Sequence, residues 1–296
     1  MLVASCTSGL CNRTHCLLGS KIIADELGRD FKVYWPRNSE LDANFQDLFD
    51  TSIKDISQDE LNYLVSDSRV TCKIYNAGLQ ESVNIHRDDH HDIIVVKSWT
   101  APLFVGEQHN HSYKNLLEKH LAILPFKREI TQRAEPSRYA SHVGVHIRYG
   151  DYRPDGQNHL EYFSRASEGA FRSIMSRVIQ LRPGTRFYLS CPNEQIKKSL
   201  ASSFDVDFVS INPYRSMEGI QDAIVDLTNL SGCAFVFGSS PSQFSQFVGL
   251  MYHKFVGMIG GAGGNHELVC GPLSVESTEE AMLSYAFEQL DSRVTQ

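Results

Sequence analysis

From residue 142 onward, strand-like and helix-like segments alternate without a break, and this alternation narrows the possible folds more than any other feature. SHVGVHIR, RFYLSC, VDFVSI, AFVFGSS and FVGMIG are short apolar runs of the kind that form buried strands. Between them lie LEYFSRASEGAFRSIMSRVIQL, NEQIKKSLASSF, SMEGIQDAIVDLTNLSG and PSQFSQFVGLMYH, whose apolar residues recur at helical spacing. Strands buried on both faces and joined by helices make a parallel, doubly wound sheet. A last helix, ESTEEAMLSYAFEQL, opens on a capping pattern and is expected to pack back across the domains.

The first forty residues hold a separate strand–helix–strand unit. LVASC is a strand and TSGLCNR a loop. A helix follows with Leu17, Leu18, Ile22, Ile23 and Leu27 on its apolar face, stopped by Gly28. FKVYW is the next strand, closed by Pro36. Farther on, FQDLFD, SIKDI and DELNYLV read as short helical or turn pieces. DIIVVKSW is a buried strand, and HSYKNLLEKHLAIL is an amphipathic helix ending at Pro125. The polar stretch KREITQRAEPSRYAS places a boundary near residues 126–140. The expected organisation is an N-terminal domain over 1–135, a C-terminal domain over 136–275, and the final helix in 276–296.

A length of 296 residues suits two such domains, and 42% apolar with 21% charged residues is ordinary globular composition. A formal net charge of -7 argues against nucleic acid or an anionic membrane as partner, while leaving room for one local phosphate site. No stretch approaches the roughly 18 apolar residues that span a bilayer. MLVASCTSGLCNR lacks the basic and long apolar regions of a secretory signal, so the chain is expected to be soluble and cytoplasmic. Seven scattered cysteines without a CxxC pair are expected to be buried free thiols. DDHHD (88–92), the His109/His111 pair and Cys6, Cys11 and Cys16 match no metal-site spacing, so no metal is expected. GMIGGAGGN lacks the phosphate-loop pattern, and no G-x-S-x-G occurs.

In an open α/β sheet, ligands bind beyond the carboxyl ends of the strands. Three places qualify. In VGVHIR, His146 and Arg148 lie two apart, so both point to one face of a strand that should be apolar there. A buried guanidinium needs an anionic partner, and a phosphate suits its fork. An ion pair with Asp151 or Asp155, or exposure at the strand end, would satisfy it equally. In AFVFGSSPSQFSQF, a strand gives way to a helix near Pro241, with Ser239 or Ser240 as cap and Ser242 and Gln243 adding donors. An ordinary capped helix without a ligand fits the same residues. In GIQDAIVDLTNL, Asp222 and Asp226 are four apart, and Asp226 borders the buried stripe of Ile220, Ala223, Ile224 and Leu227. Its carboxylate suits the neighbouring ring N–H and amino donors of guanine. A solvated helix face is the alternative.

SGLCNRTHCLLGSKIIADELGRDFKVYWP, HIRYGDY and RSMEGIQDAIVDLTNLSGCAFVFGSSPSQFSQF, in this order, resemble the GDP-fucose fucosyltransferase superfamily of nodulation, α-1,6- and protein O-fucosyltransferases. The likeness covers residues 1–37 and 142–250. It implies an α/β fold of GT-B type, with two Rossmann-like domains facing across a cleft. It also implies a metal-independent, inverting transfer of fucose from GDP-fucose to a glycan or other glycoconjugate hydroxyl. By that resemblance Arg148 holds the pyrophosphate, and His146 and Asp226 contact guanine. Ser242, Gln243 and Phe244 close on the phosphates, and Asn12, with Arg13 beside it, reaches toward the pyrophosphate or fucose. Relatives with H-x-R-R have a second arginine where Tyr149 stands here, and their glutamate base falls near Gly156. The base is therefore not carried over: Asp151 and Asp155 are candidates, with Asp151 as a mere brace of the loop, or a mechanism with little base assistance, as the alternatives. Two other readings stay open: a catalytically silent nucleotide-sugar-binding protein, and a transferase for another GDP-sugar.

Overall fold

The computed structural model describes residues 1–76, 83–98, 102–105, 124–148, 166–210, 212–213, 215–240, 242–252, 256–260, 266–270 and 273–294. The chain divides into two units, Met1–Glu129 with Arg215–Gln221, and Ile130–Tyr214 with Asp222–Gln296.

The first unit is built on β1 (Leu2–Ser5), whose four residues are all buried. It lies between β2 (Phe31–Tyr34) and β6 (Ile93–Lys97), with β3 (Lys54–Asp55) and β4 (Cys72–Asn76) at the edges. All four pairings are parallel. β5 (Asn84–Ile85) and β7 (Leu103–Phe104) form a separate short pair. Helix α1 (Leu10–Glu26) returns the chain from β1 to β2. It ends as expected at Gly28, whose φ of +61° is the left-handed turn that only glycine adopts without strain. Val3 and Val95 lie in register and meet Ile56, Ile93 and Leu61, the last from α3 (Gln58–Ser66). Of the three pieces read as helical or turn, FQDLFD supplies the one-turn α2 (Phe45–Leu48) and DELNYLV lies in α3, but SIKDI supplies β3. β3 and β4 escape the sequence pattern because edge strands carry no continuous apolar run; Ile74 in β4 is 52% exposed. The segment HSYKNLLEKHLAIL lies outside the described residues except for its last leucine, Leu124.

The second unit begins within α4 (Arg128–Thr131) and continues through a 3-10 turn at Pro136–Tyr139. Its sheet runs in the order β10-β9-β8-β11-β12-β13-β14. β8 (Val143–His146), β9 (Phe187–Ser190), β10 (Val206–Asp207), β11 (Phe235–Ser239) and β12 (Val256–Ile259) are parallel. β13 (His266–Cys270) and β14 (Leu273–Ser277) add an antiparallel hairpin that the sequence pattern had not marked. The connecting helices are α5 (Glu168–Leu181), α6 (Glu194–Ala201), α7 (Met217–Gly232) and α8 (Gln243–Tyr252); α9 (Glu279–Val294) comes last.

The two faces of this sheet differ chemically. On one, Val143, Val145, Phe187, Leu189, Phe235 and Phe237 pack against apolar residues of α5, α6 and α9. Met282, Leu283, Ala286 and Leu290 of the last helix all belong to this one core. On the other face the registered rows are Tyr188–Gly144–Val236 and Ser190–His146–Gly238. Glycine at 144 lets α7 settle directly on the strands, since a Cβ there would stand 2.9 Å from Leu230.

Candidate functional site

The chemistry collects at the carboxyl end of that second face. His146 ends β8 and is 4% exposed, held from two sides by α8. Its Nδ1 lies 2.7 Å from the Ser245 hydroxyl, and its ring stacks on Phe244 at 4.4 Å. Burial, reinforced by the Arg148 charge, lowers its pKa to about 3, so the imidazole is neutral at physiological pH. Gly238 makes this approach possible: a Cβ there would collide with the Ser245 side chain.

Arg148 is half-buried two residues beyond, where its backbone N–H donates to Ser239 Oγ at 2.9 Å. Ser239 in turn reaches the His146 carbonyl at 3.4 Å. The ends of β8 and β11 are thus laced together by one hydroxyl. Ser240 N–H continues the sheet to the Ile259 carbonyl at 2.9 Å. The helix start falls later than the sequence pattern placed it. Gln246 N–H bonds the Ser242 carbonyl at 3.1 Å, so Ser242, not Ser239 or Ser240, stands at the head of α8. Gln243 and Phe244 occupy its first turn, both half-buried.

Asp226 is buried rather than solvated. Its two oxygens accept from Tyr188 Oη at 2.5 Å and Ser190 Oγ at 2.8 Å. Ser190 is the registered neighbour of His146, so the carboxylate of α7 meets the sheet in the row that holds the imidazole. Burial raises the Asp226 pKa to about 6 against the opposing pull of these hydrogen bonds and of Lys197. The Tyr188 hydroxyl is pushed well above its usual range by burial and by Asp226, and remains a donor. Asn229 Nδ2 braces it at 3.0 Å. Asp222 is also buried but has a structural partner set: Arg133 on one oxygen, and the Asn212 backbone and side-chain N–H groups at 2.9 and 2.8 Å on the other.

The sequence pattern did not single out Tyr188, Ser190 or Ser245. For the first two a signal existed: in FYLS the two polar side chains alternate with apolar ones, which puts both on one face of the strand. Asp151 and Asp155 lie outside the described residues.

In the first unit Asn12 is half-buried in the opening turn of α1. Arg13 is fully buried, and its guanidinium serves the loop itself rather than an open surface. It donates to the carbonyls of Ser8, Pro36 (2.7 Å) and Thr7 (3.5 Å) and to Asn38 Oδ1 (3.0 Å). Among the described residues, no group of three or more His, Cys, Asp or Glu side chains is placed to hold a metal ion.

No family model matches this sequence, and no curated protein sequence matches it. Solved structures do match the architecture. NodZ α-1,6-fucosyltransferase co-crystallised with GDP gives a TM-score of 0.60 at 16% identity, covering 92% of this chain and 98% of that one. NodZ from Bradyrhizobium gives 0.58 at 15% identity, covering 87% and 94%. The chain has the GT-B-type fold of these fucosyltransferases. An Arabidopsis thaliana FUT1 variant in complex with GDP shares it at a TM-score of 0.53 and 15% identity, over 87% of this chain and 69% of that one.

Proposed function

We propose that this protein is an inverting glycosyltransferase that moves fucose from GDP-fucose to an acceptor hydroxyl without a metal. The observation that carries the reading is the row Ser190–His146–Gly238, with Asp226 above it and Arg148 beyond it, on a fold whose NodZ example was crystallised with GDP. A sheet that needed only stability would fill that row with Val, Ile or Leu.

In this reading Asp226 accepts from the ring N–H and amino groups of guanine, and neutral His146 completes the base contact. Arg148 grips the pyrophosphate through its fork. The acceptor oxygen attacks the anomeric carbon as the bond from that carbon to the β-phosphate oxygen breaks. The electron pair leaves with GDP, and configuration inverts. Arg148 and the N–H groups of the first turn of α8, with Ser242 and Gln243, oppose the charge growing on the phosphate. The acceptor's proton passes to a carboxylate, for which Asp151 and Asp155 are the candidates.

The test begins with thermal stabilisation by GDP, UDP and ADP, where GDP at 100 times its Kd should add about 2.7 kcal/mol. Release of GDP from GDP-fucose with a panel of oligosaccharide acceptors should then appear, and Arg148→Ala should abolish it in a folded protein. Binding of GDP without turnover would identify a nucleotide-sugar-binding protein instead. Preference for another GDP-sugar would change the donor.

A further inference from the structure

The β1–α1 loop, Cys6–Gly9, lies at the carboxyl end of the central strand of the first unit, the edge at which open α/β sheets present ligands. One buried cation organises it. The Arg13 guanidinium accounts for two carbonyls of that loop, Thr7 and Ser8, and for two groups beyond the end of β2, Pro36 O and Asn38 Oδ1. Asn38 closes the circuit by donating from Nδ2 to the same Thr7 carbonyl at 2.7 Å. Its Oδ1 also holds the N–H groups of Glu40 and Leu41, both at 3.0 Å. The Trp35 ring stands 5.0 Å from Arg13 Cζ. None of these four acceptors is a carboxylate.

Lysine cannot substitute here. Its three donors on a point charge do not span a fork of acceptors drawn from two separate loops. Turning the carbonyls of Thr7 and Ser8 inward onto the cation fixes the peptide planes that lead into Gly9, the N-cap of α1, where no side chain caps the helix. Asn12 follows within that first turn.

We infer that Arg13 and Asn38 are positioning residues: together they hold the β1–α1 loop in the shape that turnover requires, without touching substrate themselves. This rests on the transferase reading above.

The test compares Arg13→Lys and Asn38→Ala with the wild type by three measurements: melting, GDP Kd by calorimetry, and GDP release from GDP-fucose with pooled oligosaccharide acceptors. A misplaced positioning loop lowers turnover on the order of 10- to 100-fold. The donor residues of the second unit are unaltered, so GDP Kd should stay within about 3-fold. Turnover at wild-type level in either folded variant overturns the inference, and so does a loss that merely follows GDP affinity or the folded fraction. If Arg13→Lys does not fold, Asn38→Ala decides by the same criteria. A wild type that neither binds GDP nor releases it from GDP-fucose defeats the transferase reading instead.

Discussion

Asp226→Asn should make the protein more stable and less able to bind GDP. The substitution preserves shape and removes the charge. In the folded protein the carboxyl titrates at about 6 against an ordinary 3.8, a figure that already includes the help of Tyr188 and Ser190. At 1.36 kcal/mol per pH unit, the ionised form is disfavoured by about 3 kcal/mol. The sign follows from linkage. A carboxyl with a raised folded pKa contributes stability that is complete below the unfolded pKa and lost as pH rises through the folded one. Asparagine resembles the protonated acid at every pH. Wild type and variant should therefore be within about 1 kcal/mol of each other near pH 4, and the variant should lead by up to about 3 kcal/mol at pH 7. Urea unfolding at pH 4, 5, 6 and 7 gives the difference curve, in which the titrations of all other groups cancel. Calorimetry with GDP should show affinity falling about 100-fold, as expected when a charged acceptor of a buried hydrogen bond is lost. An Asn variant less stable than wild type at pH 7, or a flat difference curve, would refute the claim that burial strains this carboxylate. Unchanged GDP affinity would remove Asp226 from the base site.

His146 should act in the opposite sense: its folded pKa of about 3 lies below the ordinary 6.5, so stability is lost as pH falls from 6.5 toward 3. His146→Gln should flatten that loss in acid unfolding curves. Gly238→Ala should cost about 1–3 kcal/mol by overpacking against Ser245, measured by urea unfolding, and should weaken GDP binding as α8 is displaced. Ser245→Ala should leave the fold intact and weaken GDP binding by a smaller factor, since it removes the partner of His146 Nδ1 without a clash. Arg148→Lys should retain part of the GDP affinity that Arg148→Ala loses, because the charge survives but the fork does not.

The strands LVASC, FKVYW, DIIVVKSW, VGVHIR, RFYLSC and AFVFGSS were legible because each is a short run rich in apolar residues set between helix-like segments. β3 and β4 were not, since an edge strand can be short and polar and is defined by pairing rather than composition. At the site, the oddity of His146 and Arg148 was visible in a single strand. The burial of Asp226 was not, because a carboxylate beside an apolar stripe looks the same whether it faces water or the hydroxyls of another strand. Arg13 shows the converse. Its place beside Asn12, read as part of a glycine-containing loop, invites a ligand role, and only the positions of four acceptors, two of them beyond β2, reveal a buried clamp.

The division of the second sheet into two faces bears on how the unit is made. Its apolar face is closed by Met282, Leu283, Ala286 and Leu290 of α9, which follow every strand of that sheet in the chain. During synthesis, a ribosome that has delivered all seven strands still leaves Phe235, Phe237 and their neighbours without this cover. The helices of the polar face, α7 and α8, are synthesised earlier. The polar side of such a nascent unit can thus be complete while part of its apolar side remains open, and chaperone engagement would fall in the interval before residues 282–290 emerge.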